Sequence, residues 1–376
     1  MASTLASNLG PSAAATAATA ATAATAADAA YPWLVADIGG TNARFGWVSA
    51  PGAPVTQVRK LSVAAFAGPA EAAMAYLAER AQLPGAERRA PRHAAFAVAT
   101  AVVGDHVAFT NSHWAFSRAA VQAALGLDSL LMLNDFESLA LSLPRLGAGQ
   151  LRAHGGVLPQ AAGALAVVGP GTGLGVGAVV PTTEGRWVAL PGEGGHATLA
   201  PMDDLESALL AQVRRQHAHV SAERLLSGIG LPVLHQALAE VAGTPTAPLT
   251  AAQIVDRGAA GSDALCSQTL DMFCALLGGF AGNVALTLGA RGGLYIGGGI
   301  VPRFADRFFA SAFRQRFEAK GRFQPYLAAI PTALITDTLA ALSGAALAIE
   351  QAVVPASTPA AMPATASATM PAIKAA

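Results

Sequence analysis

Over the first half of the chain, apolar residues come in short runs broken by glycine-rich turns, while the second half is richer in helical spacing. WLVADIGGTNARFGWVS, residues 33 to 49, is an apolar run, a Gly-Gly-Thr-Asn turn and a second run, which predicts a β-hairpin. A helix is expected from Pro69 to Gln82, stopped before Pro84-Gly85. AAFAVATAVVGDHVAFTN, residues 94 to 111, reads as two further strands joined at Gly104-Asp105. Ser117 is the expected N-cap of a helix beginning RAAVQAAL. Residues 129 to 133 form a short apolar strand that runs into a polar loop and a helix.

ALAVVGPGTGLGVGAVV, residues 164 to 180, repeats the form of the first hairpin, with Thr172 in a glycine turn, and hints at a duplicated core unit. Further on, Asp203 and Glu206 have capping-box spacing ahead of LESALLAQVRRQ, and Ser221 starts a short helix through Glu223 to Leu226. A long apolar helix over residues 263 to 288 leads into GGLYIGGGIVP, a buried strand ending in three glycines.

Composition narrows the picture. Residues 1 to 30 and roughly 354 to 376 are almost entirely Ala, Thr, Ser and Pro, so they read as disordered tails flanking about 320 residues of folded chain. The N-terminal tract has no basic residue before Arg44, which fits neither a secretory signal nor a mitochondrial presequence. Twenty-three basic residues balance 23 acidic ones, giving no global field for nucleic acid or anionic lipid. The two cysteines, Cys266 and Cys274, lack metal-ligand spacing and suit a reducing cytoplasm. Met272 to Ala290 is 19 residues without a charge, but its four glycines, Asn283 and Thr287 favour a buried core helix over a membrane span.

The candidate chemistry lies at the turns. Gly39-Gly40-Thr41-Asn42 and Gly169-Pro170-Gly171-Thr172-Gly173 can bring backbone N–H groups close to an anion, although such a turn alone is more often just a tight turn. The P-loop pattern is absent, and a loose dinucleotide match at Gly173, Gly175 and Ala178 lies in a strand-turn-strand signal and does not open a helix. Asp37, just before the first turn, suits either a turn-stabilising bond or magnesium held through water beside phosphates. Glu193 and His196 offer an acceptor and an adaptable donor for hydroxyl groups. His217 and His219, on an expected helix surface, read as solvated or capping residues. At the end of the 129 to 133 strand, Asp135 is either the cap of the following helix or a functional carboxylate.

Seven motifs in order, DIGGTNARF, GDHVAFTNSHWAFS, LNDFES, GPGTGLGV, LPGEGGH, HVSAERLLSGIGL and GGLYIGGGIVPRF, resemble the bacterial glucokinases of the hexokinase and actin-like ATPase superfamily. The resemblance spans about residues 33 to 345. It implies a two-domain α/β, ribonuclease H-like fold with the active site in the cleft between domains. Residues 31 to 145 with about 338 to 353 would form the small domain, and 146 to 337 the large one. It places Asp37, Gly39, Gly40, Thr41, Asn42 and Arg44 in a first phosphate loop and Gly169, Gly171, Thr172 and Gly173 in a second, with Gly297, Gly298 and Gly299 at the adenosine end. Asn134, Asp135, Glu193, His196 and Glu223 would hold glucose, with Asp135 as the base, ATP and Mg2+ as cofactors, and a cytoplasmic homodimer as the working form.

The chain departs from the family pattern at Ala101, at Pro170 and in TDTLAALSGAAL, which lacks a Pro-Gly, and residues 197 to 220 contain no cysteine, as in the non-zinc branch. A kinase for another hexose or another phosphoryl donor is the competing enzymatic reading. A sugar-sensing DNA-binding regulator would need a basic helix-turn-helix segment, which residues 1 to 30 do not provide.

Overall fold

The computed structural model describes residues 31–50, 52–84, 89–109 and 111–354; the expected tails, apart from residue 354, lie outside them. Of these, residues up to Leu133 and from Ala345 on form one compact unit, and Asn134–Gly344 form the other.

In the first unit, β1 (Trp33–Ile38) and β2 (Asn42–Val48) pair antiparallel from Trp33↔Val48 to Ile38↔Ala43, the predicted hairpin. Next come β3 (Thr56–Ser62), α1 (Pro69–Arg80), β4 (His93–Val98), β5 (His106–Ala108), β6 (Ala115–Ser117), α2 (Arg118–Ala124) and β7 (Ser129–Asn134). The sheet order is β3-β2-β1-β4-β7, with β1 and β4 parallel. Alternate positions along the strands place Leu34, Ala36, Phe45, Trp47, Phe96 and Val98 in one core with Tyr76 of α1. As expected, the Ser117 side chain accepts the Ala120 N–H and caps α2.

In the second unit, α3 (Asp135–Ser142), β8 (Leu151–Ala153), β9 (Leu165–Pro170), β10 (Leu174–Pro181) and β11 (Trp187–Gly192) precede α4 (Asp204–Arg214), α5 (Leu231–Val241), α6 (Ala251–Ala260) and α7 (Ala264–Leu288). The remaining elements are β12 (Gly293–Ile296), α8 (Ala305–Ala310), α9 (Phe313–Glu318), α10 (Gln324–Ala328), β13 (Thr332–Ile335) and α11 (Ala340–Val353), which starts in this unit. The sheet order is β11-β10-β9-β12-β13-β8. Its first five strands repeat the order of the other sheet, again as an antiparallel three-strand meander followed by a parallel neighbour. That recurrence matches the duplication hinted at by the two hairpin motifs.

The apolar helix α7 starts at Asp263, whose side chain accepts the Cys266 N–H, and ends at left-handed Gly289. It is the only described helix long and apolar enough to cross a bilayer, yet 72% of its most apolar window is buried in the core.

Several expectations are corrected. The first helix stops at Arg80, two residues early. The strands on either side of Gly104-Asp105 do not pair; β5 joins β6 in a separate two-stranded sheet. No loop separates β7 from α3. Residues 221–226 are a bridge and turns, because their backbone groups bond outward, Ala222 N–H to Ala197 and Glu223 N–H to Gly195. His217 and His219 follow α4 in a loop, and His219 Nε2 lies 3.0 Å from Thr198 Oγ1.

Candidate active site

β7 is held by buried Leu130, Met132 and Leu133, and its last residue turns directly into a helix. Asn134 stays extended and accepts the Phe136 N–H at 2.9 Å, while Glu137 reaches back to the Asn134 N–H at 3.3 Å. The result is a capping box, so the capping role expected of Asp135 falls to Asn134. Asp135 occupies the first helical position, where the end of the helix dipole favours negative charge, and its Oδ1 accepts the Phe136 N–H at 2.9 Å. Burial pushes the Glu137 carboxyl above its usual range, and its bond from the Asn134 N–H only partly opposes this.

The glycines of β9 and β10 let this helix start lie on the sheet. A β-carbon at Gly169 would come within 2.5 Å of the Phe136 ring, and one at Gly175 would overlap the same ring. At Gly177 it would lie 2.7 Å from the Phe136 carbonyl oxygen. Glycine in a strand commonly marks such a close approach.

Beyond the turn, a β-carbon at Gly173 would collide with the Glu223 carboxylate. Glu223 Oε2 accepts the Leu174 N–H at 2.8 Å, and its Oε1 lies 3.9 Å from His196 Nε2. His196 closes a one-turn 3-10 segment, Gly194–His196, whose N-cap is Glu193. The Glu193 side chain is exposed, and its carbonyl accepts the His196 N–H at 3.0 Å.

The loop Gly169–Gly173 is closed by Gly171 N–H to the Gly173 carbonyl at 2.8 Å. Its outer side receives Gly228 N–H on the Gly171 carbonyl at 2.8 Å. Its other side is met by Gly297–Gly299: Gly297 donates to the Val168 carbonyl at 2.9 Å, and Gly298, at φ 76°, packs against Pro170. Gly297 is buried, whereas Gly298 and Gly299 are exposed.

In the first unit, Gly39 N–H donates to the Asn42 carbonyl at 2.9 Å, and Thr41 accepts from Val63 N–H at 3.0 Å. Gly40 lies against the Asn111 carbonyl, where a β-carbon would come to 2.6 Å. Asp37 pairs with Arg44 at 3.1 Å, its cross-strand partner in the hairpin. Its pKa is raised by burial, which outweighs the Arg44 charge and hydrogen bond. No group of three or more His, Cys, Asp or Glu gathers as a metal site among the described residues.

Within the second unit, then, the chain brings Asn134, Asp135, Gly169, Gly171, Thr172, Gly173, Glu223, His196, Gly297 and Gly298 into one contact-linked assembly around the loop. Asp37, Gly39, Gly40, Thr41, Asn42 and Arg44 form a hairpin end in the first unit. Phe136, Glu137 and Gly228 were missed from sequence. The signals were there: the Asn134-x-x-Glu137 spacing, and glycines at alternate positions 173, 175 and 177.

The family described as Glucokinase matches residues 34–352. The glucokinase of Chromobacterium violaceum is 49% identical over 88% of this chain and 92% of its own length. That of Aromatoleum aromaticum is 49% identical over 86% of this chain and 96% of its own. The crystal structure of a glucokinase from an Antarctic psychrotroph superposes with a TM-score of 0.78 at 36% identity, covering 85% of this chain and 99% of that one.

Proposed function

The chain belongs to the glucokinase family, whose reaction is ATP-dependent phosphorylation of D-glucose to glucose 6-phosphate, and we propose that Asp135 is the general base of that reaction here. The observation that carries this reading is the contact between the Asp135–Phe136 end of α3 and Gly169, the first residue of the loop Gly169–Gly173. A carboxylate, a phosphate-type loop and the Glu223 acceptor are thereby joined in one rigid support.

Phosphoryl transfer needs chiefly alignment and charge neutralisation, together with a carboxylate to accept the proton of the attacking hydroxyl. Asp135 takes the proton from the 6-hydroxyl of glucose as that oxygen attacks the γ-phosphorus of ATP, and ADP leaves. Asn134, Glu193, His196 and Glu223 hold the other hydroxyls. A site of this kind rejects sugars lacking a matching hydroxyl, since its buried acceptors would be left unpaired.

Each unit offers a phosphate-type turn for the nucleotide: Gly39–Arg44 in the first, and Gly169–Gly173 with Gly297–Gly299 in the second. Asp37 fits a magnesium ion that arrives with the phosphates and keeps its waters, since a desolvated carboxylate gains from a nearby cation and no resident cage of ligands is needed. Bound with ATP, that ion neutralises phosphate charge. The cytoplasm and a homodimeric form complete the reading; the buried free thiols Cys266 and Cys274 accord with a reducing compartment.

The test is Asp135→Asn in a coupled assay on the purified full chain. Turnover should fall by about 10²–10⁴-fold, while the glucose KM stays within about tenfold. Substantial residual turnover removes Asp135 from the base role. A parallel panel of sugars and donors should favour glucose and ATP; faster turnover of mannose, fructose or polyphosphate would overturn the substrate assignment.

A further inference from the structure

We propose that Phe136 is a positioning residue for this reaction, its ring acting as the spacer that sets the base Asp135 against the phosphate loop Gly169–Gly173. The proposal rests on the reading of Asp135 as base.

Gly169 and Gly175 are cross-strand partners in the β9–β10 ladder. One aromatic ring covers both: its Cζ and Cε1 atoms face Gly169, with 2.5 and 2.6 Å to a built β-carbon, and its Cγ, Cδ2 and Cε2 atoms face Gly175. The ring therefore lies on a single rung, one pair below the Pro170↔Leu174 pair that flanks the loop. Phe136 also follows Asp135 directly in the chain, and its N–H is shared by the Asn134 and Asp135 side chains. A shift of the ring moves the carboxylate and the loop relative to each other.

Ordinary core packing does not require this arrangement. A filled core needs volume, which another apolar residue supplies at small cost. A spacer needs the thickness of a flat ring between two backbones, which a branched aliphatic side chain does not reproduce. Glu223, in contrast, is anchored by the Leu174 N–H, so its part of the sugar grip does not rest on a bond to Phe136.

Five full-length variants test this, each assayed with glucose and ATP varied separately and each checked by thermal melting: Phe136→Leu, Gly175→Ala, their combination, Asp135→Asn, and Asp135→Asn combined with Phe136→Leu. Phe136→Leu should lower kcat at least tenfold while the glucose KM stays within threefold and the melting temperature within a few degrees. Gly175→Ala, which displaces the ring, should lower kcat likewise, and adding Phe136→Leu to it should restore part of the loss because the smaller side chain yields. In the Asp135→Asn background, Phe136→Leu should cost nothing further. Wild-type kcat in Phe136→Leu, a kcat loss matched by the loss of folded protein, or strictly multiplicative losses in either double variant would overturn the proposal. An active Asp135→Asn single variant sinks the base reading instead; an inactive one beside a fully active Phe136→Leu sinks only the spacer.

Discussion

Glu223→Gln separates sugar recognition from folding at the same residue. Glu223 is about four-fifths buried, at 21% exposure, and its Oε2 accepts the Leu174 N–H at 2.8 Å. Glutamine keeps an oxygen for that N–H but loses the charge. Hydrogen bonds to charged groups are worth about 1.5–3 kcal/mol and neutral ones about 0.5–1.5, so a sugar hydroxyl loses about 1–2 kcal/mol. At 1.4 kcal/mol per decade, the glucose KM should rise roughly 5–30-fold, with kcat within about threefold. Glu223→Ala should raise KM too, and should also lower the melting temperature, because the buried Leu174 N–H loses its acceptor at about 1–3 kcal/mol. His196 is 60% exposed and 3.9 Å from Glu223, so that ion pair supplies no more than about 1 kcal/mol. A glucose KM increase beyond about fivefold in His196→Ala therefore reports a lost sugar contact. The measurement is steady-state glucose dependence at saturating ATP. If Glu223→Gln leaves KM unchanged, Glu223 is a structural brace for Leu174 and not a sugar ligand.

Two further predictions concern stability. The Glu137 carboxyl is pushed up by burial, so the fold favours its neutral form, and the stability this contributes is lost as pH rises through the raised pKa. Glu137→Gln should therefore melt above the parent at pH 7, with the difference closing as pH falls toward about 4, the usual carboxylate range; a pH-independent difference would contradict the burial argument. Arg316 pairs with Glu206, a side chain only 1% exposed, and with Asp203 at 2.8 Å. Arg316→Ala leaves that carboxylate buried without its cation and should destabilise by about 3–5 kcal/mol in denaturant melts, and a loss below about 1 kcal/mol would show that the Met202 N–H alone holds Glu206.

Both hairpins were legible because short apolar runs flank glycine turns, and α7 because Asp263 and Gly289 punctuate a long apolar run. The pairing of Asp37 with Arg44 was within reach as well, since a hairpin turning at residues 39–42 places them opposite one another. Residues 221–226 were misread because Ser221 and the apolar pair Leu225-Leu226 imitate a helix start, whereas the chain there is claimed by bonds to Gly195 and Ala197. No local pattern reveals such partners. The cap at α3 was ambiguous because Asn and Asp are comparably good caps; Glu137, three residues after Asn134, breaks the tie.

The two sheets share an order, and their hairpins can be compared rung by rung. Counting from the turn, the first pairs are Ile38↔Ala43 and Pro170↔Leu174, and the second are Asp37↔Arg44 and Gly169↔Gly175. The same rung thus carries a charged pair in one unit and no side chains at all in the other. Charge at Gly169 or Gly175 is sterically impossible while Phe136 lies there, and an aromatic ring cannot lie flat over a rung filled by Asp37 and Arg44. One scaffold position therefore serves two incompatible tasks only because it occurs twice: a charged rung beside one phosphate-type turn, and an emptied rung on which the helix bearing Asp135 is seated.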